Sequence, residues 1–203
     1  QNNKKYTEEL LSNAVRLFMI IAVPAVTGIS ILSSSISKIL DVTYIGGSSI
    51  IIYIAIGMFF LGLTEYNNKA WELTSSTGTI LRNSLICSIF NIITNILFIP
   101  IAGYKAAAIT TASAYFLYFL LSFFGSRKIL KWHLSKIHYI RISGSAFLMG
   151  VIIYIVSSLT TITIPMLIFV IPLGVVIYGG SLYLSGEIKP EIAQLISKIK
   201  QQV

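Results

Sequence analysis

Residues 84–102 read SLICSIFNIITNILFIPIA, a run of 19 residues without one charged side chain. As a helix it would be about 28 Å long, close to the roughly 30 Å hydrocarbon core of a bilayer. Five more windows of this kind occur, Leu17 to Ile36, Ile45 to Leu63, Ala106 to Phe124, Ile142 to Leu159 and Ile164 to Leu184. β-Branched residues are frequent in them, but a membrane barrel needs alternating polar and apolar positions, and these runs are apolar all round. The pattern predicts an all-α integral membrane fold, a bundle of six transmembrane helices.

The rest of the composition agrees. Of 203 residues, 55% are hydrophobic and only 11% charged, and the mean hydropathy is +0.83, too apolar for an ordinary soluble domain. The formal charge of +8 would suggest nucleic acid as a partner in a soluble protein. Here the distribution of the charges explains it instead. With the N-terminus cytoplasmic, 13 of the 15 basic residues fall on the inner side, and only Lys38 and Lys105 face out, as the positive-inside rule requires. The predicted organisation is a cytoplasmic segment 1–13, four membrane helices in 14–124, a basic cytoplasmic loop 125–141, two more helices in 142–184, and a cytoplasmic tail 185–203. Both termini are cytoplasmic and the protein is multi-pass in the cell membrane. The first apolar run is too long, with the wrong flanks, for a cleaved signal peptide.

Several local features qualify this plan. Pro24 in the first window and Pro172 in the last each remove a backbone donor, predicting a bend unless neighbouring groups compensate. Pro100 to Lys105 leaves a connector so short that the third and fourth helices must be antiparallel neighbours. The run Thr64 to Thr79 reads as a cytoplasmic segment with a short helical turn at Ala70 to Leu73. In the tail, Pro190 suits a helix start, and Ile188, Ile192, Leu195, Ile196 and Ile199 share one face, predicting an amphipathic helix on the inner leaflet.

Polar groups within the windows are patterned. Ser84, Ser88, Asn91 and Asn95 recur at i, i+4, i+7 and i+11, one stripe of a helix, and Thr111, Tyr115, Tyr118 and Ser122 repeat that spacing in the next window. Such stripes either bond helices together or line a polar cavity, and Ser84, Ser88, Asn91, Asn95, Thr111, Tyr115 and Tyr118 are the cavity candidates. Thr27, Ser30, Ser34 and Ser37 form a weaker stripe, of a kind that satisfies itself on its own helix carbonyls. No Asp, Glu, Lys, Arg or His lies deep in any window, where ion-coupled transporters usually carry such a group. His133 and His138 are not at a paired-ligand spacing, Cys87 stands alone, and no Ser-His-Asp set or phosphate loop occurs. The sequence therefore predicts no catalytic residue, no metal site and no cofactor.

Two stretches carry a resemblance. Residues 16–28, RLFMIIAVPAVTG, and residues 91–111, NIITNILFIPIAGYKAAAITT, resemble the polysaccharide transporter family, whose members flip lipid-linked oligosaccharides. That family shares a superfamily with the multidrug and toxin extrusion transporters and the peptidoglycan-precursor flippase. The resemblance implies two lobes of 12 or 14 helices in all, with this chain as a C-terminal portion whose N-terminal lobe is a missing partner. It further implies translocation of a polyprenyl-linked oligosaccharide by alternating access for cell-surface polysaccharide synthesis. Membrane lipids and glycan-synthesis enzymes are the other implied partners. A cation-coupled multidrug exporter would be favoured by an acidic residue at membrane depth, which the windows lack. A non-transporting scaffold for glycosyltransferases would use the basic loop Arg127 to Arg141, already explained by topology.

Overall fold

A computed structural model of the protein describes residues 2–40, 47–160 and 164–188. The described residues form five helices, α1 (Asn2–Leu40), α2 (Gly47–Leu73), α3 (Thr77–Ser126), α4 (Lys136–Leu159) and α5 (Ile164–Leu184), and no strand. All five are long and apolar enough to cross a membrane. The amphipathic helix expected in the tail lies outside the described residues.

The count of six is corrected to five because the third and fourth windows share α3. Straight, its 50 residues would measure about 75 Å, more than twice the hydrocarbon core. It is not straight. Gly103 has φ 59° and ψ −144°, a region essentially reserved for glycine, and the Thr110 hydroxyl donates to Asn95 Oδ1 over 2.5 Å. Fifteen residues of unbroken helix would set these groups about 22 Å apart, so the chain folds back at Gly103. The connector expected over six residues is a single non-helical one, and the limbs 77–102 and 104–126 are the antiparallel neighbours anticipated. A Cβ on Gly103 would meet nothing within 4 Å, so Gly103→Ala carries only a backbone cost. Thermal unfolding in detergent should show a loss of about 1–2 kcal/mol.

One other boundary shifts. α2 runs unbroken to Leu73, so Thr64 to Leu73 is helix where a loop with one turn was expected. Within the basic stretch 125–141, α3 ends at Ser126 and α4 begins at Lys136.

α2 packs along α3, α1 bridges α2 and α4, and α4 packs on α5, while α1 and α5 meet sparsely. Gly57 permits a close approach of α2 to α3, for a Cβ there would lie 3.1 Å from the Ala112 backbone. Many of the buried residues lie where the helices approach or overrun the predicted inner edge of the membrane windows. Val15, Leu63, Thr64, Asn67, Asn68, Ala70, Trp71, Asn83, Ser122, Ser126, Leu130, Trp132 and Leu134 are all buried there. Rings continue that core from Phe60 through Phe119 and Phe123 to Trp132. In contrast the first limb of α3 exposes Ile89, Ile92, Ile93, Ile96, Leu97 and Phe98, an apolar exterior suited to lipid.

Candidate functional site

The predicted stripe on the first limb of α3 is partly engaged in packing. Asn95 donates through Nδ2 to Asn91 Oδ1 at 3.1 Å and accepts from Thr110, joining the limbs. Thr110 is buried and itself bonds to the Ala106 carbonyl. It lies one position before the cavity candidate Thr111, about 100° round the helix, so the bond between the limbs is made by a residue outside the predicted stripe. Ser84, Asn91 and Thr111 are half-buried, and Ser88 is exposed. Tyr115 packs its ring beside Gly57.

Tyr118 and Ser122 face α2. Asn68, 2% exposed, donates through Nδ2 to the Tyr118 hydroxyl at 3.1 Å and accepts from the Ser122 hydroxyl at 3.2 Å. Its neighbour Asn67 accepts from Trp132 Nε1 at 2.8 Å, fastening the loop after α3. Sequence reasoning missed both asparagines because the run Thr64 to Lys69 looked like an ordinary polar loop. In the weaker stripe of α1, Thr27 donates to the Val23 carbonyl at 2.9 Å and Ser37 to the Ser34 carbonyl at 3.2 Å, as expected of those two residues.

A second polar centre, unforeseen, lies beneath α5. Gly186 has φ 78°, its N–H bonds to the Tyr183 carbonyl, and the N–H of Glu187 bonds to the Leu182 carbonyl, the paired bonds of a Schellman cap. This turn carries Glu187 back into the protein, where it is 1% exposed. Arg16 Nε of α1 donates to its Oε1 at 2.7 Å, and Arg16 Nη2 also donates to the Glu187 backbone carbonyl. From α4, His138 Nδ1 lies 2.7 Å from Oε1 and Arg141 Nη1 3.5 Å from Oε2. Burial alone would raise the Glu187 carboxyl, but the hydrogen bonds and charge of His138 and Arg16 outweigh it and hold the group below the usual carboxylate range.

A cavity of about 420 Å³ opens between α1 and α2, lined by apolar residues including Phe18, Ala22, Ile51 and Met58. None of the predicted stripe residues lines it.

These helices, with their apolar exterior and polar groups held between them, define a multi-pass helical membrane protein. The sequence pattern of the family described as Lipid II flippase MurJ matches residues 1–174, and the chain belongs to that family. No curated protein matches the chain. The family is one of transporters of lipid-linked molecules and not of enzymes. The match places the chain in the superfamily that the two motifs suggested but not in its polysaccharide transporter branch. The motifs do not reach that level, for a physical reason. An asparagine that ties two limbs and a glycine that reverses the chain encode the helical hairpin, which says nothing of the cargo.

Proposed function

We propose that the protein flips a polyprenyl-linked glycan precursor, lipid II in the first instance, between leaflets by alternating access. The observation that carries this reading is the family match over residues 1–174. In it both limbs of α3 cross the bilayer and the termini are cytoplasmic, the arrangement that the skewed basic residues favour. A second helical lobe completes the cavity. Ser84, Ser88, Asn91, Thr111 and Tyr115 offer hydroxyls and an amide to sugar or water. Asn95 and Tyr118 shape that wall through their bonds to Thr110 and Asn68.

The test is translocation by the full-length protein in proteoliposomes, following arrival of fluorescent lipid II in the opposite leaflet. Protein-dependent arrival is expected, slowed several-fold by Ser88→Leu at an exposed position. Absence of transfer would refute the reading. Transfer only of a polyprenyl diphosphate oligosaccharide lacking the peptide would return the substrate to the polysaccharide class.

A further inference from the structure

Pro24 sits within α1 and has no N–H, so the carbonyl four residues earlier, that of Ile20, loses its intrahelical donor. In a membrane such a carbonyl must find another. The donor comes from a different helix. The Tyr178 hydroxyl of α5 bonds to the Ile20 carbonyl at 2.8 Å, and Tyr178 is buried, 7% exposed.

The placement of this bond matters, because α1 and α5 are otherwise sparsely packed against each other. One turn before Ile20, Arg16 binds Glu187 just past the end of α5, so the two polar links fall on one stripe of α1. α5 itself is positioned from the other side by α4, through the Ser181 and Ser145 hydroxyls at 3.0 Å and by Ile153 against Gly174. The sparse seam thus carries two directional links beside the shared apolar cluster, and such bonds can break and re-form as units.

We propose that Tyr178 is a latch on a hinge at Pro24. With its hydroxyl on the Ile20 carbonyl, the two parts of α1 are held in one relation. When α5 shifts and the bond parts, α1 bends about Pro24 and its outer part swings. The inference is independent of which lipid the protein moves. From Pro24 to Ser34 is about 15 Å of helix, so a kink of about 20° displaces Ser34 by roughly 5 Å.

The experiment is pulsed electron spin resonance on the full chain in nanodiscs. Labels go on cysteines at Ser34 and Leu159, both exposed, with the buried Cys87 replaced by Ala. The unmodified latch should give one narrow distance, and Tyr178→Phe should add a second population displaced by several ångströms. In a Pro24→Ala background position 24 regains its N–H and the Ile20 carbonyl its helical partner. There Tyr178→Phe should change nothing. An equal effect in both backgrounds would make Tyr178 a mere packing residue and overturn the proposal, as would no effect in either. If Tyr178→Phe alone fails to fold, rescue of folding by Pro24→Ala reports the same coupling, and failure of the double variant refutes it.

Discussion

Glu187→Leu is expected to cost about 3–5 kcal/mol of stability, the toll of removing one partner from a buried charge cluster. The carboxylate side chain is 0% exposed, and it faces two guanidinium groups and an imidazole, those of Arg16, Arg141 and His138. With leucine in its place Arg16, itself only 16% exposed, stays where solvent cannot replace the lost acceptor. Thermal or denaturant unfolding in detergent at neutral pH measures the loss. Acid should erase the difference between the proteins. The folded carboxyl titrates below its ordinary range, so its contribution is complete above the unfolded value of about 4.3 and drains away as pH falls through the folded one. Wild-type stability should therefore fall toward that of the variant below about pH 4. A gap unchanged between pH 7 and pH 3 would show that Glu187 acts through packing alone.

The members of this cluster were visible in the sequence without their meeting being visible. Arg16 precedes the first apolar window, Arg141 precedes the fifth, and Glu187 follows the sixth, so topology alone puts all three at one membrane boundary. Which helices adjoin is a matter of packing that hydropathy does not encode. The long apolar runs, by contrast, were plain, because each must satisfy its backbone within itself wherever its neighbours lie. Pro24 belongs between these extremes. Its lost donor was certain from the residue type, and the need for a compensating group followed, but that Tyr178 would supply it, 154 positions away, required the fold.

The division of α3 shows the limit from the other direction. A Pro-Ile-Ala-Gly stretch between two apolar runs reads as a connector, yet Pro100 to Ala102 remain helical and the reversal falls on Gly103. The sequence pattern identified that a turn was needed, and local conformational freedom decided where. The polar stripes have a similar limit. Periodicity puts Asn91 and Asn95 on one face, but a face is about 100° wide, too coarse to show that Thr110 is the partner across the hairpin.

Asn68→Leu should be the most damaging change within the polar layer that joins α2 to α3, at about 2–3 kcal/mol. The amide serves two hydroxyls at once, giving a hydrogen to Tyr118 and taking one from Ser122, and Ser122 is 0% exposed. Leucine fills similar volume, so the loss lies in the two bonds and the polar atoms stranded without them. Those atoms can be removed as well. In a Ser122→Ala, Tyr118→Phe background nothing remains for Asn68 to satisfy, and there Asn68→Leu should be nearly neutral or stabilising, since an apolar trio of matching shape replaces the polar one. Unfolding midpoints of the four proteins in detergent give the coupling directly. Additive losses would place the cost in the shape of leucine, whereas a coupling of about 2 kcal/mol would establish that this buried amide holds the inner ends of α2 and α3 in register.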